Sequence, residues 1–537
     1  MLNAPHLQPC AANHAPLSPL DLLERTVAIT PDRIAVIWQD LRLTWAEFDA
    51  IVSRMAAALR DRGIGRGDVV SIIAANRPEM LAAHFAVPAL GAILNGINIR
   101  LDAETVRYIL GHSRSRLMLC DPAHAELATE SAGALPVLCF GPEGAPGAEP
   151  FDLLGGNGRP EREVDWRANV TDEWQPIALN YTSGTTGAPK GVVLHHRGAY
   201  QNALGNVLAL GFTRETVYLW TLPLFHCNGW CHGWAVTAAG GTHVCLDGVH
   251  PDEIFAAIEA NRVTHLACAP VVLYMLLNDP ARNSRRPDAP RVLVATGGAA
   301  PTPSLIEQLE EIGFDLTHLY GLTECYGPVA MNELTRERRG ATAAENAALL
   351  TPQGMRHATG SLMRVVDGAG KEVPRDAETI GEIVLRGNTI MAGYLGDPEA
   401  TAAAFEGGWF HTGDLAIVHP DGYAEIRDRA KDIINSGGEN ISSLEIERAL
   451  HRHPDVLLAA AVAAPHPKWG ETPYAFVELK PGATASEEAL TAFARDHLAH
   501  FKCPRRVIFT EIPKTATGKV QKFVLRQRAQ DLARSPA

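Results

Sequence analysis

Nothing in the spacing of the nine cysteines suggests a disulfide framework, for they are odd in number and scattered through 537 residues. Reduced thiols in a cytoplasmic protein are the expectation. Basic charge is also short: the formal net charge is -13, which argues against nonspecific binding to nucleic acid or an anionic membrane. An anionic ligand is therefore expected in a specific pocket. The opening stretch MLNAPHLQPCAANHAPLSPL has no basic start, and proline, asparagine and histidine break its apolar residues. It reads as a loose arm and not as a secretory leader. No integral membrane segment is expected either. The longest apolar candidate, MLAAHFAVPALGAILNGINI (residues 80–99), is interrupted by His84, Pro88, Gly91, Asn95 and Asn98 and reads as a buried helix followed by a strand. Internal repeats are absent.

What is present is a long chain with 46% hydrophobic and 20% charged residues, enough to form at least two cores. Along its first four fifths, strand and helix signals alternate. IAVIWQDLRLT (residues 34–44) suggests two short strands around Gln39 and Asp40, then a helix opened by a capping box at Thr44 and Glu47 and closed near Gly63. VVSIIAA (residues 69–75) has the length of a buried strand, with a helix starting at Pro78 and ending at Gly91. LACAP (residues 266–270) and RVLVATGG (residues 291–298) continue the pattern. The expected fold is α/β, with mainly parallel sheets flanked by helices, in a large N-terminal domain covering residues 1–428. Within it, FGPEGAPGAEPFDLLGGNGRP (residues 140–160) reads as an exposed connection. Beyond Asp428 the segments shorten, a second capping box stands at Ser442 and Glu445, and a small α+β domain is expected over residues 429–537.

The strongest local signal is YTSGTTGAPKG (residues 181–191). Its glycines let backbone N–H groups approach phosphate oxygens, its hydroxyls donate further hydrogen bonds, and Lys190 supplies charge. It is a phosphate loop by chemistry but not a Walker A loop, because Pro189 precedes the lysine and Gly191 follows it. Downstream, Tyr320 in YGLTE offers an aromatic face for a purine, and Thr323 and Glu324 set a hydroxyl beside a carboxylate, suited to a phosphate oxygen and Mg²⁺.

The phosphate segment closely resembles the signature of the AMP-forming acyl-CoA synthetases, in the adenylate-forming superfamily. TGGAAP (residues 296–301), YGLTE (320–324), WFHTGD (409–414), DRAKDIINSGGENIS (428–442) and PKTATGK (513–519) follow in the family's order, so the likeness spans roughly residues 30–526. It implies ATP and coenzyme A as co-substrates, Mg²⁺ held by Thr182 and Glu324, and a nucleotide site of Thr182, Ser183, Gly184, Thr185, Thr186, Gly187, Lys190, Gly298, Ala299, Tyr320, Gly321, Thr323, Asp414 and Arg429. Asp414 would accept the ribose hydroxyls with Arg429 assisting. Lys519 would stabilise charge as the substrate carboxylate attacks the α-phosphate, with Glu324 and Thr182 completing the catalytic set. Lys431 falls at the family's hinge, and NSGGEN would bring Gly437, Gly438 and Glu439 to the coenzyme A tunnel as the small domain rotates. A homodimer is compatible, since many relatives are dimers.

No nucleophilic side chain is required, because the substrate's own carboxylate attacks ATP. Two departures stand out: Asp428 where many members carry glycine, and Ser443 where many carry proline. With PLFHCNGW, the Ser442-Ser443 variant resembles the branch containing medium-chain acyl-CoA synthetases, plant acyl-activating enzymes and methylmercaptopropionate-CoA ligases, implying a small to medium apolar acid. Alternatives are a luciferase-like oxidation of the adenylate, loading of a separate carrier protein, and a zinc-binding or nucleotide-sensing protein without turnover. The zinc reading comes from FHCNGWCHGW (residues 225–234), whose His-Cys-x-x-x-Cys-His spacing is not a usual zinc pattern. In the family this stretch follows the strand VYLWTLPLF (residues 217–225) and borders the acyl pocket: His226, Trp230, Gly297 and Gly298 are then the acid's neighbours. Trp230 and Trp234 could share a helix face, and Cys227 and Cys231 pack inertly.

Overall fold

The computed structural model describes residues 5–155, 163–182, 189–285, 289–297, 301, 303–335, 337–514 and 520–534. Among these residues two large sheets form. One runs in the spatial order Gly393–Tyr394, Lys190–His195, Pro176–Thr182, Ile93–Gly96, Val69–Ile73, Ser115–Cys120, Val137–Phe140 and Glu149–Phe151. Its middle strands pair in parallel, and the hairpin Pro176–Thr182 with Lys190–His195 adds an antiparallel edge. The other places Val292–Thr296 between His265–Cys268 and Phe314–Leu322, all parallel. The mainly parallel α/β expectation is met.

Local sequence explains much of this. Thr44 caps Trp45–Asp61: its hydroxyl accepts from Glu47 N at 3.2 Å, and the Glu47 carboxylate accepts from Thr44 N at 2.7 Å. Pro78 begins the helix Pro78–Ala89, which is buried on every side. Gly91 follows in the left-handed region, φ +68°, where a side chain would also meet the Asn169 carbonyl. One hydrophobic core joins both sheets through the helices Trp45–Asp61, Pro78–Ala89, His196–Leu210 and His232–Ala239.

Three sequence expectations need correction. The strand over residues 217–225 stops at Val217–Leu219, because Asn76 takes over the next backbone groups: its amide donates to the Trp220 and Leu222 carbonyls at 2.9 and 3.0 Å. The stretch over residues 140–160 is not merely an exposed connection. It contributes the strand Glu149–Phe151, and Phe151 and Leu153 are buried. The second capping box is half formed. Ser442 accepts from Glu445 N at 3.3 Å, but the Glu445 carboxylate turns to Lys502 at 2.8 Å.

A four-stranded antiparallel sheet, Leu362–Val366, Gly381–Arg386, Phe410–Val418 and Ala424–Arg429, leads into the last part of the chain. There Val456–His466 and Gly470–Leu479 form a long antiparallel pair that packs against Ser443–Leu450, Glu487–His497 and Lys522–Arg534. This is the expected small α+β unit with its own apolar cores. Among the described residues no helix is long and apolar enough to cross a membrane.

Burial leaves several histidines neutral. It pushes His84, His195 and His318 down to about 4, and His196, His232 and His243 down to about 3. In the unfolded chain these rings bind protons near an ordinary pKa of about 6.5, so unfolding takes up protons below that pH and stability rises with pH there. The expected outcome is a thermal midpoint that falls steadily as pH is lowered from about 6.5 toward 4. A midpoint flat across that window, measured by scanning calorimetry, would contradict it.

Candidate active site

The site is built where the edge hairpin, the strand Phe314–Leu322 and the four-stranded sheet meet. Thr182 and Lys190 lie opposite each other in the hairpin. Lys190 Nζ sits 3.4 Å from Asp397 and 5.0 Å from the centre of the Tyr394 ring. The Tyr394 hydroxyl in turn donates to Glu324 Oε1 at 3.0 Å, and the Glu324 carbonyl accepts from Met391 N at 2.7 Å. The two candidate magnesium ligands, Thr182 and Glu324, are thus linked through Lys190 and Tyr394. Tyr394 and Asp397 carried no signal in the sequence. Desolvation, with Glu324 adjacent, raises the Tyr394 phenol above its ordinary range, so it stays a donor.

Tyr320 and Asp414 meet at the other end. Asp414 is 3% exposed. Its Oδ2 accepts the Tyr320 hydroxyl at 2.8 Å, and its Oδ1 lies 3.0 Å from Arg429 Nε. Asp414 and Arg429 are register partners on neighbouring strands, which explains the pairing. The carboxylate raises the Arg429 pKa, which keeps the guanidinium charged, and burial raises that of Tyr320, which keeps the phenol a neutral donor. The turn before Asp414 is held by Glu382, whose carboxylate accepts Gly413 N at 2.9 Å and meets His411 Nδ1 at 2.8 Å. At Gly321 a side chain would collide with the Gly327 backbone, so glycine there serves strand approach.

The segment after His226 folds in a way its composition conceals. Cys227, Asn228, Gly229, Trp230 and Cys231 all have positive φ, from 42° to 62°, forming one left-handed turn. Each non-glycine residue in that conformation costs roughly 1–2 kcal/mol, so the surroundings must hold it. Asn180 Nδ2 donates to Asn228 Oδ1 at 2.5 Å, Asn206 Nδ2 to the Trp230 carbonyl at 2.9 Å, and Cys231 Sγ to the Tyr326 carbonyl at 3.2 Å. Cys227 Sγ lies 3.1 Å from Thr323 Oγ1, joining this turn to the YGLTE motif. Strain of this kind collects at functional sites.

Trp230 and Trp234 therefore do not share a helix face, because the regular helix begins only at His232. Trp230 instead covers two glycines. A Cβ on Gly297 would fall 3.1 Å from the indole, and one on Gly327 would fall 3.1 Å from the Trp230 backbone. Trp234 packs edge-on against His84 and Tyr326. Cys227 and Cys231 are buried, while His232 turns to the Tyr218 hydroxyl at 2.7 Å.

Gly437, Gly438 and Glu439 are exposed, and Lys431, also exposed, lies within electrostatic reach of Asp414 and Arg429. Partial burial, with Arg429 and Arg526 nearby, lowers the Lys431 ammonium pKa. Ser183, Gly184, Thr185, Thr186, Gly187, Gly298, Ala299 and Lys519 lie outside the described residues. Among the described residues no group of three or more His, Cys, Asp or Glu side chains could cage a metal. A hydroxyl and one carboxylate nonetheless suit Mg²⁺, which keeps water and takes phosphate oxygens.

Two family models match the chain: AMP-binding enzyme over residues 23–395 and AMP-binding enzyme C-terminal domain over residues 445–519. A peroxisomal butyrate–CoA ligase of Arabidopsis thaliana is 43% identical over 545 residues, covering 97% of this chain and 95% of the relative. A peroxisomal acetate/butyrate–CoA ligase of the same plant is 44% identical over 552 residues, with 98% and 96% covered. The crystal structure of an anthranilate–CoA ligase in complex with anthranoyl-AMP superposes with a TM-score of 0.85 at 25% identity, covering 98% of this chain and all of that one.

Proposed function

We propose, from the premise that the chain belongs to the AMP-binding enzyme family and is an ATP-dependent acid–CoA ligase, that its acid is a short aliphatic carboxylate such as acetate or butyrate. The observation that carries this is Trp230, whose indole would lie 3.1 Å from a Cβ on Gly297 and on this reading forms the wall that limits the acyl chain. The similarity to ligases named for butyrate and acetate supports the same reading.

In the first step a carboxylate oxygen of the acid attacks the α-phosphorus of ATP, the bond to the β-phosphate oxygen breaks, and pyrophosphate leaves. Lys190 and residues 183–187 hold the phosphates, and Tyr320, Asp414 and Arg429 hold the nucleoside. Thr182 and Glu324 would hold Mg²⁺, which when bound draws charge from the phosphate oxygens. Tyr394 fixes the Glu324 carboxylate. Lys519 supplies positive charge at the attacked phosphate, stabilising the transition state electrostatically.

In the second step the sulfur of coenzyme A attacks the acyl carbon, the bond to the AMP oxygen breaks, and the thioester and AMP leave. Residues 429–537 turn about Lys431 between the steps, bringing Gly437, Gly438 and Glu439 to the thiol's path. The enzyme acts in the cytoplasm, a compartment suited to nine cysteines outside any disulfide, although both plant relatives are named peroxisomal. Short-chain fatty acid metabolism and a homodimer complete the reading.

A thioester-forming assay across straight-chain, branched, aromatic and thioether acids tests the substrate. Butyrate or a neighbour in length is expected to give the highest kcat/KM, and an optimum on an aromatic or long-chain acid would sink the assignment. Trp230→Ala is expected to move the optimum to longer chains by roughly 10-fold in relative kcat/KM, since each buried methylene is worth on the order of 1 kcal/mol. An unchanged acid profile would remove Trp230 from the pocket wall.

A further inference from the structure

The two residues that depart from the family's commonest pattern touch each other. Asp428 is 1% exposed and Ser443 is fully buried. Asp428 Oδ2 accepts both from Ser443 N at 2.5 Å and from Ser443 Oγ at 2.8 Å, while its Oδ1 accepts from Arg429 N at 2.7 Å. With its proton committed to Asp428, the Ser443 hydroxyl accepts from Lys522 Nζ at 2.5 Å. Lys522 also pairs with Glu447 at 2.8 Å, and Glu447 accepts from Ala461 N at 2.9 Å. A continuous polar chain therefore runs from the core of the small domain, through Lys522 and Ser443, to the residue beside Arg429. Lys522 opens the helix Lys522–Arg534 and follows Lys519 by three positions in sequence.

The chain crosses the hinge. Asp428 precedes Lys431 and Ser443 follows it, so a rotation there separates them. Two further contacts cross at the same place: Ser442 Oγ donates to the Arg427 carbonyl at 2.6 Å, and Arg448 Nη1 pairs with Glu425 at 2.8 Å. While these hold, Gly437, Gly438 and Glu439 face solvent.

We propose that Asp428 and Ser443 are positioning residues: their contact, extended by Lys522, holds the small domain in the arrangement that serves adenylation and has to open before acyl transfer to the thiol. The pair thereby sets the balance between the two half-reactions. This rests on the two-step reading above. The coupling follows from elementary satisfaction of buried groups. Removing Asp428 leaves the Ser443 N–H, the Ser443 hydroxyl proton and the Arg429 N–H without their acceptor, and removing Ser443's donors leaves a buried carboxylate short of partners.

Ser443 is the first residue of the helix Ser443–Leu450, a position where proline is tolerated. Ser443→Pro thus deletes both donors and keeps the helix. Acid-dependent ATP–pyrophosphate exchange and CoA transfer from supplied acyl-AMP are measured on Ser443→Pro, Asp428→Gly and the double variant. Each single variant is expected to lose about tenfold or more in exchange, the scale of one buried hydrogen bond to a charge, with transfer unchanged or faster. The double variant is expected to lose less than the product of the two. Equal loss in both half-reactions, or unchanged exchange in both single variants, overturns the proposal. Should thermal unfolding show either variant destabilised, Ser443→Ala, which keeps the N–H and loses only the hydroxyl link to Lys522, is expected to give the same split, and its absence there overturns the proposal equally. A wild-type enzyme without acid-dependent exchange removes the two-step reading itself; a wild type that exchanges, with variants showing no split, removes only the role of Asp428 and Ser443.

Discussion

Lys519→Ala is expected to lower acid-dependent ATP–pyrophosphate exchange by roughly 10²–10³-fold, the usual loss when one preorganised donor is taken from a developing charge. Transfer of a supplied acyl-adenylate to coenzyme A should stay within a few-fold of wild type, because in the proposed mechanism the lysine leaves the site before that step. The chain is anchored on both sides of the PKTATGK lysine. Lys514 and Val520 form an antiparallel bridge. Gln521 N donates to the Pro513 carbonyl at 2.8 Å, and Lys514 pairs with Glu478 at 2.8 Å. Both ends of the segment are therefore fixed to the small domain, so a turn of that domain carries Lys519 with it. Normal exchange in the variant would end the assignment, and equal loss of both half-reactions would end the division of labour.

Asp414→Asn is expected to raise the KM for ATP by about 10–100-fold, the scale of losing one or two hydrogen bonds to a charged group at about 1.5–3 kcal/mol each. Asparagine keeps the shape of aspartate and one acceptor. It must turn either that acceptor or its amide toward Arg429, which now sits 3.0 Å from a carboxylate oxygen. If the amide faces the guanidinium, two donors oppose each other in a buried place; if it faces Tyr320, the phenol loses its acceptor. Either way the charge proposed to meet the ribose hydroxyls is gone, while the residues around Trp230 proposed to bind the acid are untouched. Titration with ATP by calorimetry, alongside steady-state kinetics, separates the outcomes: unchanged nucleotide affinity, or a KM change confined to the acid, would contradict the role.

The parts of this molecule legible in its sequence are those decided by neighbours along the chain. The Thr44–Glu47 box forms as read because both partners lie within one helical turn. The Asp414–Arg429 pair is legible through motif order, and strand register then delivers it. What escaped depends on partners far away in sequence. The left-handed turn over residues 227–231 is hinted at only by Asn228 and Gly229, which tolerate that conformation. The side chains that enforce it are Asn180 and Asn206 on the preceding elements and Thr323 much later. Glu445 leaves its capping box for Lys502 for the same reason. Asp428 and Ser443 were each visible as oddities, but their meaning is their contact, 15 residues apart across the proposed hinge.

The most direct test of the central claim is ATP–pyrophosphate exchange in the absence of coenzyme A. An enzyme that forms an acyl-adenylate first will incorporate labelled pyrophosphate into ATP only when butyrate or acetate is present, and later addition of coenzyme A will release AMP and acyl-CoA in equal amounts. Exchange that needs no acid, or that appears only once coenzyme A is added, would contradict the account.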